Sequence, residues 1–352
     1  MNKHKKIKIA VAGDFAFGSS VYSGQTAKTR DYHYYLCKRY GEENVVAIDT
    51  RDWKKRLVPV LFTLFKSLFT CNRFVMLLCT NGRRTLLPFV MSLRKLFGYR
   101  VYFPAVGGTL YDEFADEKVL QNCFDKIDAV YLETKKLLNF FLDQGYTNCY
   151  YAPVFSKRDY HNPPFSWENP QEPLPLCTYS RVCKEKGISD AIDAVVEVNR
   201  RAGRTVCTLD IFGAPAKEYE EEFNQKLEQA KDCVHNLGLL TDANAIDELS
   251  AHYLMLFPTY YDGEGFPIAL IECFKAGLPV IATDWHFNAE IVQHGKTGMI
   301  YSLDHKELLT DYIETLLQDA DRVREMKKNC LEEAKKFDPE AILSHLFAKI
   351  EE

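Results

Sequence analysis

The sequence predicts an α/β protein of two Rossmann-like, doubly wound halves. Apolar runs of strand length alternate with helical stretches along the chain, a proline-rich connector interrupts that alternation, and 352 residues exceed what one core usually organises.

In the first half the strand-like runs are residues 7–12, 45–48, 74–79, 101–103, 129–132 and 149–152, with helical patterns between them, as a parallel sheet requires. The connector follows, His161-Asn162-Pro163-Pro164-Phe165 and then Pro170, Pro173 and Pro175, and it is the best domain boundary in the chain. Beyond it the alternation resumes with runs 176–179, 208–212, 254–257, 280–283 and 299–301, and charged helices fill the rest from Asp304. Domains are therefore expected over 1–165 and 166–336, with a terminal segment 337–352.

The most informative stretch is Tyr260-Tyr261-Asp262-Gly263-Glu264-Gly265-Phe266-Pro267-Ile268-Ala269-Leu270-Ile271-Glu272. An apolar strand ends at Pro258, a glycine-bearing loop lets backbone approach a ligand, and Pro267 suits the first turn of a helix that stops at Gly277. Strand, loop and helix together put free N–H groups at the carboxyl edge of a sheet, a place for phosphate or sugar hydroxyls. Glu264 and Glu272 would repel a bare phosphate, but as carboxylates they accept hydrogen bonds from hydroxyls, so a polyol beside the phosphate is the natural partner. Taken singly, Glu264 would serve equally as a helix cap and Glu272 as a solvated helix residue.

A second segment, Tyr179-Ser180-Arg181-Val182-Cys183-Lys184-Glu185-Lys186-Gly187, runs from a strand into a basic loop, where Arg181 and Lys186 suit a diphosphate. With both segments in this order, the chain resembles the retaining GT-B glycosyltransferases of the glycogen synthase and sucrose synthase family, including bacterial surface-polysaccharide enzymes. That family holds the donor diphosphate with an Arg and a Lys in a G-R-x-x-x-x-K-G-like loop and the nucleotide sugar with an E-x7-E motif. Arg181 and Lys186 match the first with Ser180 in place of its glycine; Glu264 and Glu272 match the second without a gap.

The resemblance implies two Rossmann-like domains facing a central cleft, acceptor in the first and nucleotide sugar in the second, with the last segment returning to the first domain. It implies catalytic roles for Arg181, Lys186 and Glu264, ribose binding by Glu272, and backbone contacts from Gly265, Phe266 and Pro267. Gly213, after the 208–212 run, matches a glycine that borders the base pocket, and Gly24 lies in a loop-to-helix turn that can reach the donor phosphate. Gln25, Gly107, Gly108 and Thr109 form the candidate acceptor or phosphate loops, although a tight turn alone would also explain Gly107-Gly108. Lys186 and Glu272 are expected to face solvent in the open cleft. Many relatives carry a His near the fourth-strand loop, and residues 104–114 have none. The resemblance implies a route without a double displacement, in which the departing donor phosphate receives the acceptor proton.

No cofactor or metal is implied. The donor is itself a substrate, UDP-sugar ahead of GDP-sugar, and the acceptor is a glycan or lipid-linked molecule. Asp319-Ala320-Asp321 spells a metal-binding D-x-D but reads better as a helix start, and Gly13-Asp14-Phe15-Ala16-Phe17-Gly18 lacks the spacing of a dinucleotide fingerprint, although Asp49 lies where a ribose-binding acid would. Eleven cysteines without a C-x-x-C pair suggest reduced thiols in a cytoplasmic protein.

Residues 51–100 hold 11 Lys and Arg against Asp52 alone, a local excess of about +10 in a chain of formal net charge −5. These cations alternate with Leu, Phe, Val and Trp in amphipathic stretches near 54–69 and 83–97. That pattern suits an anionic membrane surface on the cytoplasmic side, and no nucleic-acid motif accompanies it. Two readings stand at this point, a glycosyltransferase and a non-catalytic partner of a glycan-assembly machine that keeps the fold.

Overall fold

The computed structural model describes residues 6–18, 23–159, 167–168 and 170–352, and the chain falls into two compact units, Met1–Ser156 with Asp338–Glu352 and Lys157–Phe337. The first residues of the basic start and His161 to Phe165 of the proline connector lie outside the described residues.

In the first unit β1 (Ile9–Gly13), α1 (Gly24–Tyr40), β2 (Val45–Asp49), α2 (Leu57–Thr70), β3 (Arg73–Leu77), α3 (Thr80–Phe97), β4 (Arg100–Pro104), α4 (Leu110–Asp116), α5 (Lys118–Phe124), β5 (Ala129–Leu132), α6 (Lys135–Asp143) and β6 (Cys149–Tyr151) follow one another. The strands make one parallel sheet in the order β2-β1-β3-β4-β5-β6. Successive strand residues point to opposite faces, so Ile9 and Val11 pack with Val75 and Tyr102, while Ala10 and Ala12 pack with Phe74 and Phe103. Burial on both faces explains why these strands read as continuous apolar runs.

The second unit holds β7 (Leu174–Tyr179), α7 (Ile188–Ala202), β8 (Cys207–Phe212), α8 (Glu220–Gln229), β9 (Val234–Gly238), α9 (Ala245–Ser250), β10 (Leu254–Phe257), α10 (Ile268–Lys275), β11 (Val280–Thr283), α11 (Asn288–Ile291), β12 (Gly298–Tyr301), α12 (Glu307–Leu317) and α13 (Ala320–Ala334). Its parallel sheet runs β12-β11-β10-β7-β8-β9. Strand order reverses between β7 and β10, so the loops leaving their carboxyl ends flank the crevice in which open α/β sheets bind ligands. Strand β9 has no counterpart among the expected runs, because it is an edge strand whose His235, Asn236 and Leu237 are exposed and no apolar run marks it. Asp319 caps α13 by accepting from the Arg322 N–H at 3.0 Å, consistent with a helix start.

The last helix, α14 (Pro339–Glu351), belongs to the first unit. Leu343, Leu346, Phe347 and Ile350 join the core on the Ile9 face, and Tyr102 donates its hydroxyl proton to the Lys349 carbonyl at 2.6 Å.

Lys327 on α13 is buried beside Cys177, Cys273 and Cys330, donates to the His252 carbonyl at 2.9 Å and lies 4.7 Å from the Trp167 ring centre. Burial lowers its pKa to about 7, only partly opposed by those thiols. Between that value and the ordinary lysine value near 10 the unfolded chain binds the extra proton, so this residue makes stability rise with pH across that window. We predict that Lys327→Met raises the free energy of unfolding at pH 6, and that this gain over the wild type shrinks by a few kcal/mol as denaturant unfolding is measured toward about pH 10.

Candidate functional site

The loop from β7 and the loop from β10 are fastened together before either presents a side chain. After Tyr179 the chain passes through a short 3-10 turn, Lys184–Lys186, to Gly187, which immediately precedes α7 at φ +68°. A Cβ at Gly187 would stand 2.1 Å from the Pro258 carbonyl oxygen, so only glycine allows the two loops to approach this closely. The Tyr260 N–H donates to the Glu185 carbonyl at 2.8 Å, and the Trp285 indole and Thr283 hydroxyl hold the carbonyls of Tyr261 and Thr259 at 2.9 and 2.5 Å.

Locked this way, the loops bring Lys186 and Glu264 into an ion pair, both side chains buried. The Thr259 hydroxyl donates to the same carboxylate oxygen at 2.9 Å. The Tyr261 ring lies 5.1 Å from the Lys186 amine and 5.1 Å from the exposed Arg181 guanidinium, and the Phe257 ring is 5.5 Å from Lys186. Desolvating a lysine and a glutamate costs several kcal/mol each, which their attraction offsets only with well-placed further hydrogen bonds such as that from Thr259. Two cations thus share one aromatic ring, and one of them holds a carboxylate. The set can balance anionic phosphate oxygens and accept from a hydroxyl.

Glu272 sits on α10 in a second network that includes the end of β7. It is only 1% exposed, and its Oε2 accepts from Arg158 at 3.0 Å and from the Tyr179 hydroxyl at 2.8 Å. Arg158 also binds Asp242, after β9, through its Nε at 3.0 Å and Nη2 at 2.5 Å. Burial first, and then the Glu272 charge, push the Tyr179 phenol well above its usual range, so it stays a donor. Partial burial would raise the Asp242 carboxyl, but the Arg158 hydrogen bond and charge outweigh it and hold that carboxyl below its ordinary value.

These networks correct two expectations. Lys186 and Glu272 do not face solvent; each is buried because a charged partner neutralises it, across 78 and 114 residues of sequence respectively. Nor does Glu264 cap the following helix, since Pro267 takes that position without a side-chain bond.

Gly213 follows β8, where a Cβ would stand 1.9 Å from the Ser180 carbonyl oxygen, and its N–H donates to Gly238 at 2.8 Å. Close packing of strand-end loops therefore accounts for this glycine by itself. Gly265 is half-buried, while the Phe266 ring is buried 5.8 Å from Phe337 and leads through Pro267 into α10.

The remaining candidates belong to the first unit. Gly24 is the exposed first residue of α1, which Ser23 caps, and Gln25 beside it is half-buried. Gly107 turns the chain at φ +84° after β4, and Gly108 follows it. The Thr109 hydroxyl is committed internally: it donates to Glu113 at 2.6 Å and accepts from Arg83 at 3.1 Å. Arg83, 1% exposed, also binds Glu113 and the carbonyls of Leu78 and Val106, so it clamps both ends of the 107–109 loop. A fourth buried pair, Lys28 with Glu133, ties α1 to the end of β5, and Lys28 also donates to the Ala105 carbonyl.

Sequence reasoning assigned no role to Lys28, Arg83, Glu133, Arg158, Tyr179, Tyr261 or Asp242. Tyr261 stood inside the quoted motif, and Tyr179 ended a strand whose loop was singled out; Arg83 entered only as one of many cations.

Residues 161–337, half of the chain, match the family model for glycosyl transferases group 1, and the chain belongs to that family. It is 28% identical over 166 residues to the GDP-mannose-dependent alpha-(1-6)-phosphatidylinositol monomannoside mannosyltransferase of Mycobacterium tuberculosis, a match covering 43% of this chain and 40% of that protein. A stretch of 142 residues is 30% identical to the UDP-N-acetylglucosamine–peptide N-acetylglucosaminyltransferase GtfA subunit of Streptococcus pneumoniae, covering 39% of this chain and 26% of that one. In both cases the chain spans less than half the length of the relative. Among solved structures, Anabaena HepE in complex with UDP superposes with a TM-score of 0.72 at 14% identity, and sucrose-phosphate synthase from Thermosynechococcus elongatus with 0.73 at 15%. Each match covers 98% of this chain and 99% of the other. The fold is GT-B.

Removing the guanidinium from a buried carboxylate is costly, so Arg158→Met is expected to lower stability by about 3–5 kcal/mol, read by denaturant unfolding. A loss below about 1 kcal/mol would mean that Glu272 does not depend on Arg158.

Proposed function

We propose that this chain is a retaining glycosyltransferase that moves a sugar from a nucleotide-diphosphate sugar, UDP-linked in preference to GDP-linked, to a glycan or lipid-linked acceptor. The observation that carries the reading is the Lys186–Glu264 pair, set with Arg181 around Tyr261 at the sheet's switch point. A charge-paired lysine is held in place before the donor arrives. Donor binding would exchange the internal pair for two ligand contacts, Lys186 to phosphate and Glu264 to a sugar hydroxyl. Glu272 would accept from ribose hydroxyls, and Gly265, Phe266 and Pro267 would offer backbone to the sugar and phosphates.

In the transfer, the acceptor oxygen forms its bond to the anomeric carbon on the face from which the diphosphate leaves. The acceptor proton passes to the departing phosphate oxygen, and Arg181 and Lys186 balance the charge that develops on it. The GtfA and HepE structures bound to UDP favour uracil as the base, whereas the mycobacterial relative's name specifies GDP-mannose. Names among the relatives, covering lipid, peptide and exopolysaccharide products, support glycoconjugate or polysaccharide synthesis as the setting.

A thermal-shift titration with UDP, GDP, ADP and CDP tests the donor site, since a ligand of the folded state raises its melting temperature. UDP is expected to give the largest shift, and Lys186→Ala to weaken UDP binding by roughly ten- to a hundred-fold, the worth of a charge-assisted hydrogen bond. Because Lys186 is buried, the variant's own unfolding must be followed alongside. No shift with any diphosphate, or undiminished binding by a folded Lys186→Ala, would refute the assignment.

A further inference from the structure

The excess of positive charge in residues 51–100 is smaller on the surface than in the sequence. Arg83 is buried with Glu113, and Arg51, Arg56, Arg84 and Arg94 pair with Asp14, Asp49, Glu117 and Asp128, all but Arg51's partner Asp14 and Arg56's partner Asp49 lying C-terminal to the segment. Lys54, Lys55, Lys66 and Lys95 remain exposed, with no ion pair among the described residues. Helices α2 and α3 contain no acidic residue at all.

Beside these lysines, several large apolar residues do not turn inward. Helix α2 buries Leu64 and Leu68 against the sheet, yet Val58, Phe62, Phe65 and Phe69, spaced four, three and four residues apart on one helical face, point outward. Val58 is 78% exposed, Phe62 70% and Phe69 75%. The stripe continues onto α3, where Phe89 meets Phe65 with ring centres 6.2 Å apart and Phe97 meets Phe69 at 4.9 Å, and Leu96 beyond them is 76% exposed. Large side chains this exposed and this contiguous on a folded domain mark an interaction surface.

We propose that the outer face of α2 and α3 is a docking surface for an anionic phospholipid bilayer, with Phe62, Phe65, Phe69 and Leu96 entering the acyl boundary and Lys54, Lys55, Lys66 and Lys95 meeting the headgroups. The charge decides among occupants. A face with exposed lysines and no acid on either helix repels a second copy of itself and complements a negative lipid surface. No helix among the described residues is long and apolar enough to cross a membrane, so the contact is interfacial. It rests on the first unit's surface alone and stands whether or not the glycosyltransferase reading does.

The test is co-sedimentation of the whole chain with vesicles of equal parts phosphatidylglycerol and phosphatidylcholine, and with phosphatidylcholine alone, at low and high salt. Binding to the anionic vesicles at low salt is expected, about tenfold or more weaker in high salt and on neutral vesicles. The double variant Phe62→Asp, Leu96→Asp alters exposed residues outside the ring contacts of the stripe, so it should melt like the wild type while losing about tenfold or more of its binding. Failure of the wild type to sediment with anionic vesicles at low salt would overturn the proposal. So would equal binding by the double variant, or a lipid-free dimer that the double variant dissolves.

Discussion

Burying charge at the carboxyl ends of parallel strands is the constraint on which the rest of this structure depends. A doubly wound sheet concentrates its polar business there, where helix N-termini and loop N–H groups converge. Each ionised side chain that enters must bring a counter-charge. In the second unit Lys186 meets Glu264 and Arg158 meets Glu272; in the first, Lys28 meets Glu133 and Arg83 meets Glu113. All four pairs join loops or helices that follow different strands. They therefore fix the relative positions of the elements that flank each crevice, and in the second unit the same groups are the ones best suited to a diphosphate and a sugar.

This design explains why the fold was largely legible in the sequence while much of the candidate site was not. Strands β1, β7 and β10 are buried on both faces and announce themselves as apolar runs, and helix α10 carries its own stop at Gly277. Strand β9 escaped because an exposed edge needs no apolar run. Arg181, Lys186, Glu264 and Glu272 were visible because two short motifs hold them at fixed spacing. That Lys186 pairs with Glu264 and Arg158 with Glu272 was not, since these contacts cross 78 and 114 residues and no local pattern records them. The same blindness produced the expectation of solvent-facing carboxylates and lysines: a charge read without its counter-charge looks as though it must be hydrated.

The basic segment shows the converse. Its net charge in the sequence overstates what the surface carries, because acids from elsewhere in the chain neutralise several arginines. Its apolar residues, by contrast, are more exposed than an ordinary domain helix would leave them. Folding thus turns a diffuse compositional signal into a defined face of aromatic side chains and lysines.

The position of a nucleotide in the second unit is the decisive measurement, and a crystal structure with UDP would show it. The diphosphate is expected within hydrogen-bond distance of Lys186 and Arg181, the ribose hydroxyls on Glu272, and the Lys186–Glu264 contact opened or shared. A nucleotide bound elsewhere, with that ion pair intact and untouched, would contradict this placement.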